Sequence, residues 1–400
     1  MHYADARSPA ELRGRTILQI VPELDAGGAE RTAVDIAAGL VQAGVRALVA
    51  TEGGRLVAEL QAKGGSWIPF PAKTKNPFSI LSNARRLKRI IREEGVDLVH
   101  ARSRAPAWSA YLATGPLGVP FVTTYHGSYQ GRSKVKILYN SVMARGDAVI
   151  ANSHYTARLI AEKHPFARDR IAIIHRGTDL KLYAPGQVDH GRIERLRSAW
   201  GIGPHQRIIL CAARLTPWKG QKVLIEAARL LREAGESDIA IVLAGDDQGR
   251  SGYVRELDTM AETLGVKDMV FRVGHCADMP AAFMAAAVVA VPSTEPEAFG
   301  RTATEAQAMG TPVVVTDLGA VPETVLAPPE VPAAARTGWR IKPGDPEALA
   351  EALSGALNLG ATAHDAMALR ARQHVEKHFS LDSMVAATLR LYVALLERGR

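Results

Sequence analysis

Short apolar runs rich in β-branched residues alternate with longer helical patterns along the whole sequence, and this alternation constrains the fold more than any other feature. Strands are predicted at 17–21, 47–50, 97–100, 121–124, 148–151 and 171–174, then at 208–212, 240–244, 269–273, 288–291 and 313–315. Most are continuous apolar runs, as a strand requires when helices cover both of its faces. Alternation of this kind predicts parallel sheets joined by right-handed crossovers. The pattern restarts after the polar stretch YAPGQVDHGRIER at 183–195, whose proline, glycines and charges read as a linker.

The expected fold class is therefore α/β, with two Rossmann-like lobes whose parallel sheets face each other across a cleft. A chain of 400 residues is too long for one ordinary core and fits two or three domains. The boundaries predicted are 1–185 for the first lobe, 186–375 for the second and 376–400 for a C-terminal helix, a candidate to pack back on the first lobe. In such sheets ligands sit beyond the carboxyl ends of the strands.

Composition removes several alternatives. No apolar run reaches the roughly 18 residues that a membrane span needs. The candidate AAFMAAAVVAV at 281–291 stops at Pro292 and reads as a buried helix end followed by a strand. The amino terminus mixes charges of both signs without an apolar stretch, unlike a secretory signal. Cys211 and Cys276 are the two cysteines, too few for a disulfide framework or a thiolate metal site, so a reducing, cytoplasmic location is expected. The net charge of +8 is uneven: residues 1–185 hold 26 Lys+Arg against 15 Asp+Glu (+11), and 186–400 hold 23 against 26 (−3). The basic half suits an anionic partner, and nucleic acid, a membrane surface and a phosphate-bearing acceptor all stand at this point.

The segment PSTEPEAFGRTATEAQAMGTPVVVTDLGAVPE at 292–323 is the most informative. Gly300 turns the chain into a helix, with Glu297 on the loop before it and Glu305 in its first turns. Backbone N–H groups of Phe299, Gly300 and Arg301 then point outward at a helix N-terminus, a ready anion site. A carboxylate on each side suits a ligand with phosphate in the middle and hydroxyls at both ends, although solvated helix-start glutamates would look the same. ARLTPWKG at 213–220 adds Arg214 and Lys219 beyond the first strand of the second lobe, a fork and a point charge suited to a diphosphate. AGDD at 244–247 and VGH at 273–275 end further strands, where Gly245 and Gly274 let backbone approach a ligand.

Taken together, these segments resemble family 4 retaining glycosyltransferases of the GT-B fold. The E-x7-E pattern falls at Glu297 and Glu305, the Arg/Lys clamp at Arg214 and Lys219, and the amino-terminal glycine loop at GGAERTAVDIA, 27–37. The resemblance implies an acceptor-binding first lobe and a nucleotide-sugar donor second lobe. It implies that Arg214 and Lys219 neutralise the leaving diphosphate, that Glu305 holds the donor ribose and that Glu297 binds the transferred sugar. The amides of Phe299, Gly300 and Arg301 would orient sugar and phosphates, Gly28 would let the chain approach the diphosphate, and His126 in TYHG would face the sugar from the acceptor side. Gly274 and His275 would lie near the base. Glu30 has two readings, substrate contact or helix first turn. Two departures stand out: Arg301, where family members often carry an apolar residue, and Arg176-Gly177-Thr178-Asp179 in place of Asn-Gly-Val-Asp.

The implied reaction moves a sugar from a UDP- or GDP-type donor to an acceptor hydroxyl with retained configuration, in lipopolysaccharide, capsule or glycolipid synthesis. The departing phosphate would deprotonate the acceptor, leaving the protein to position and to stabilise charge. No Asp-x-Asp, HExxH or nucleophile elbow occurs, so activity without metal or other cofactor is expected. The helix pattern NARRLKRIIREE at 83–94, with Leu87, Ile90 and Ile91 on one side and five cations around the other, reads either as a solvated helix face or as a contact with anionic membrane at the cytoplasmic face. A second basic patch is Arg132, Lys134 and Lys136. Competing functions are a nucleotide-sugar epimerase on the same fold and a basic binding protein; no RNP, zinc-finger or helix-turn-helix pattern accompanies the charge, so nucleic acid is not expected as a partner.

Overall fold

The computed structural model describes residues 8–25, 27–127 and 133–398. Arg132 of the second basic patch and the side chain of Lys134 lie outside them. The chain divides into two compact units, one running to Gly177 and resuming at Leu381, the other spanning Thr178–Ser380.

The first unit is built on a seven-stranded sheet: β1 (Thr16–Ile20), β2 (Arg46–Thr51), β3 (Ser66–Pro69), β4 (Leu98–Ala101), β5 (Phe121–Tyr125), β6 (Ala148–Ala151) and β7 (Ile171–Ile173). Their spatial order is β3-β2-β1-β4-β5-β6-β7, with every neighbouring pair parallel. β1 and β5 are buried along their whole length, because helices cover both faces. One face carries helix Gly28–Gln42 and helix Leu381–Arg398, which bury Ile36, Leu40, Met384, Leu391 and Tyr392 in one cluster with Ile17 and Val49. Gly39 lets these two helices meet: a Cβ there would lie 2.3 Å from Val385 Cγ1. The C-terminal helix thus belongs to the first unit's core, where each such aliphatic side chain contributes roughly 1.5–3 kcal/mol of burial.

The opposite face carries helix Pro77–Glu93. Asn76 starts it, its Oδ1 accepting from the N–H of Phe78 (2.9 Å) and Ser79 (3.3 Å), with Pro77 at the first position. Leu87, Ile90 and Ile91 enter the core beside Phe70 and Val96, while Arg85, Arg86, Arg89 and Arg92 stay exposed and Lys88 half-exposed.

The second unit holds β8 (Arg207–Ala212), β9 (Ile239–Ala244), β10 (Val270–Gly274), β11 (Ala286–Val291), β12 (Val313–Thr316) and β13 (Trp339–Ile341), in the order β10-β9-β8-β11-β12-β13 and again all parallel. The stretch 281–291 is helix Met279–Ala285 running into β11.

Three features differ from the sequence-based expectation. The strands β3 and β13 went unpredicted; both lie at sheet edges, are short and only partly buried, and carry Trp, Pro and Arg in place of an apolar run. The polar stretch 183–195 is not a free linker. Asp189 caps helix His190–Ala199 by accepting from Arg192 N–H at 2.8 Å, and the Arg192 guanidinium grips Asp278 at 2.7 and 3.0 Å within the second unit. The chain passes between units at Gly177–Thr178, upstream of that stretch, and again at Ser380–Leu381.

Candidate active site

In the second sheet the strand order reverses beside β8, which has β9 on one side and β11 on the other. The helices that follow, Gln221–Glu233 after β8 and Arg301–Ala308 after β11, pack into the clusters on opposite faces. An open parallel sheet takes its ligand beyond the carboxyl ends of the strands at such a reversal.

Several contacts hold the loop after β8. Leu215 N–H donates to the Asp246 carbonyl at 3.0 Å. Buried Gln221 donates to the Arg214 carbonyl at 3.0 Å and accepts from Tyr253 Oη at 3.1 Å. Gly220 adopts φ +74° with its Cα so close to the next loop that a Cβ would sit 1.8 Å from the Pro292 carbonyl oxygen. Thr294 N–H donates to the Trp218 carbonyl at 2.8 Å, lacing the two loops together.

That lacing brings two predicted residues into contact. Lys219 Nζ lies 2.6 Å from Glu297 Oε1, with the two side chains 14% and 12% exposed. Ser293 Oγ donates to the same oxygen at 2.6 Å, and the ammonium stands 4.3 Å above the Trp218 ring. The carboxylate, the hydroxyl and the ring together fix the ammonium in place. Glu297 is itself anchored by Ala320 N–H donating to its carbonyl at 2.9 Å, an approach that Gly319 at φ +70° permits.

Gly300, at φ +91°, opens helix Arg301–Ala308. Phe299 is buried against Phe379 with ring centroids 5.5 Å apart, which orients the turn. Thr302 Oγ1 donates to the Ala212 carbonyl at 3.2 Å and ties the helix to the end of β8. Buried Glu305 is engaged by Arg301, whose Nη2 and Nε reach Oε1 at 2.7 and 3.2 Å. Arg301, the departure from the family pattern, therefore grips the carboxylate expected to take the ribose. Arg214 is exposed and donates to Gln248 Oε1 at 3.4 Å. Gly274 ends the edge strand β10 at φ +68°, followed by His275, whose Nδ1 lies 3.9 Å from Asp246 Oδ2. Asp247 caps its own loop, accepting from Gly249 N–H at 3.0 Å. Burial pushes the Cys211 thiol up to about 12 even though Lys219 pulls it down, so it offers no thiolate nucleophile.

Gly28 and His126 lie in the first unit. Gly28 is the first residue of helix Gly28–Gln42, and Glu30 folds back over the turn, where a Cβ on Gly27 would meet Glu30 Oε2 at 2.0 Å. Burial raises the Glu30 carboxyl above its ordinary value. His126 follows β5 and is half-buried; desolvation, with Arg176 and Arg102 nearby, holds it well below the usual imidazole value. It lines a recess with His100, Arg102, Thr124, Asn152 and Arg176. His100 is held between Tyr392 Oη (2.6 Å) and Thr124 Oγ1 (2.7 Å), and the Arg102 guanidinium donates twice to Gln19 Oε1 (2.8 and 2.6 Å). Sequence reasoning gave no role to Trp218 and Ser293, although both lie inside the quoted segments, and it passed over Asn152 and Tyr392, which strand order and packing bring in.

These features define a class: an α/β protein of two Rossmann-like units, the second carrying a cation–carboxylate pair and a glycine-opened helix N-terminus where its strand order reverses. Comparison with known proteins narrows the class. Residues 26–182 match Glycosyltransferase Family 4 and residues 192–374 match Glycosyl transferases group 1, so the chain belongs to this glycosyltransferase family of GT-B fold. The D-inositol 3-phosphate glycosyltransferase of Salinispora arenicola (strain CNS-205) is 31% identical over 321 residues, 74% of this chain and 68% of that protein. The protein of the same name from Corynebacterium glutamicum (strain R) is 28% identical over 66% of this chain, and the match spans 64% of that relative's length. Among solved structures, a glycosyltransferase from Rickettsia africae ESF-5 is 32% identical with a TM-score of 0.86, covering 96% of this chain and 99% of the other. Anabaena HepE in complex with UDP-glucose shares the fold, with a TM-score of 0.79 at 24% identity over 95% and 98% of the two chains.

Proposed function

We propose that this protein transfers a sugar from a nucleoside-diphosphate donor of UDP or GDP type to an acceptor hydroxyl, with retention of anomeric configuration and without a metal ion. The observation that carries the reading is the Lys219–Glu297 pair at the reversal of strand order, next to the helix N-terminus at Gly300. Arg214, Lys219 and the amides of Phe299, Gly300 and Arg301 would take the charge that develops on the leaving diphosphate. Glu297 would accept from the sugar hydroxyls and Glu305 from the ribose. The phosphate itself would collect the acceptor proton on the same face of the sugar, and the protein's contribution is position and electrostatics.

An anionic acceptor fits the basic first half of the chain. The relatives named above act, by name, on D-inositol 3-phosphate, which carries a phosphate; lipopolysaccharide, capsule and glycolipid precursors are the lipid-linked alternatives. Exposed Phe78, Val135 and Leu138, in segments that also bear Lys75, Arg85 and Lys136, support a peripheral contact with anionic membrane. No helix among the described residues is long and apolar enough to cross a membrane.

The test is a thermal-shift and turnover screen against UDP-, GDP- and ADP-sugars, with and without EDTA. One nucleotide should stabilise the protein, and the shift should vanish in Arg214→Ala and Glu305→Ala. Loss of turnover in EDTA with rescue by magnesium would overturn the metal-free reading. A new nucleotide sugar formed from donor alone would favour epimerisation.

A further inference from the structure

We propose that Arg176 is a positioning residue that fixes His126 as a neutral imidazole with its proton on Nε2, so that this histidine meets substrate as a hydrogen-bond donor and not as a base. Arg176 Nη2 lies 3.0 Å from His126 Nδ1. A guanidinium carries donors and no acceptor, so Nδ1 has to accept, and the single proton of the neutral ring falls on Nε2. That Nε2 is buried and has no hydrogen-bond partner among the described residues. It belongs to the recess also lined by Asn152, which is 1% exposed with neither amide atom partnered among the described residues. Unsatisfied groups gathered in one buried place are costly unless a ligand or water completes them.

The charges around the ring act in one direction. The titratable and charged groups lining the recess with His126 are His100, Arg102 and Arg176, with no carboxylate among them. His100 is occupied at both nitrogens by Tyr392 and Thr124. Protonating His126 at Nδ1 would break the bond from Arg176 and set two cations 3.0 Å apart in a part-buried site. Nε2–H is then left to donate to an oxygen of the sugar, of the acceptor or of a phosphate, and proton removal from the acceptor falls elsewhere. Naming that oxygen rests on the proposed transferase function; the tautomer does not.

The experiment uses the full chain with ¹⁵N-labelled imidazoles and long-range ¹H–¹⁵N spectra from pH 5 to 8, with His126→Gln to assign the signal. The wild type should show the Nε2-protonated neutral pattern and no titration in that range. Arg176→Met should scramble the tautomer or bring a titration into the range, and Arg176→Lys, which keeps a donor, should restore the wild-type pattern. An Nδ1-protonated pattern or a titrating His126 in the wild type would overturn the proposal, and so would an unchanged spectrum in Arg176→Met. If Arg176→Met does not fold, the wild-type and Arg176→Lys spectra decide. Absence of turnover would count against the transferase reading alone, because the tautomer is measured without it.

Discussion

The Lys219–Glu297 pair permits a quantitative test through a double-mutant cycle of Lys219→Met and Glu297→Gln. At 2.6 Å the gross attraction is roughly 6 kcal/mol for an effective dielectric of about 20. Much of it is offset by desolvation, since the two side chains are only 14% and 12% exposed. Glu297→Gln leaves the ammonium facing the Trp218 ring and a neutral amide, while Lys219→Met leaves the carboxylate with Ser293 Oγ alone. Each single change should cost about 2–3 kcal/mol of unfolding free energy in urea, because each strands a mostly buried charge. The double variant removes both charges and should fall short of the sum by about 1–3 kcal/mol. Additivity to within about 0.5 kcal/mol would refute the idea that these residues form a coupled pair. Turnover should respond differently: Lys219→Met should lose about a hundredfold or more in kcat, and Glu297→Gln added to it should not restore the rate, since the charge proposed to meet the diphosphate is still missing.

Two further predictions follow from local geometry and from buried histidines. Gly220→Ala should cost at least about 2 kcal/mol, since it adds left-handed strain to a Cβ placed 1.8 Å from the Pro292 carbonyl; differential scanning calorimetry should show a lowered Tm, and an unchanged Tm would mean that the two loops are not in contact. Burial holds His100 and His126 well below the ordinary imidazole value, so near pH 6.5 the unfolded chain takes up protons that the native protein refuses. Stability is therefore full above about pH 6.5 and falls as the pH drops, by roughly 1 kcal/mol per histidine at pH 5.5. Urea midpoints at pH 7.5 and 5.5 check this, and equal midpoints would show that these rings protonate in place.

The alternation of short apolar runs with helical stretches was enough to determine parallel sheets in two units, because a strand covered on both faces has to be apolar throughout. The placement of polar residues just beyond strand ends was equally legible. Arg214 and Lys219 follow β8 within a few residues, and Glu297, Gly300 and Glu305 follow β11, so loop and helix start could be read from spacing alone. The Arg301–Glu305 grip was not read, although it joins residues one helical turn apart. The edge strands β3 and β13 escaped because an edge is half-covered and tolerates Trp, Pro and Arg.

Contacts between segments far apart in sequence were decided by the tertiary structure alone. Nothing near Lys219 indicates that β11 lies beside β8 and brings Glu297 to it, and although the final helix was a candidate to pack back on the first lobe, nothing in the sequence places its Tyr392 against His100. Arg176 stands out in the sequence only as a departure from a pattern; folding of β5 and the strand after β6 is what sets its guanidinium against His126. The physical reason is the range of the forces: hydrophobic periodicity and turn chemistry act within a few residues, whereas a buried hydrogen bond or ion pair forms only after strand order has chosen which loops meet.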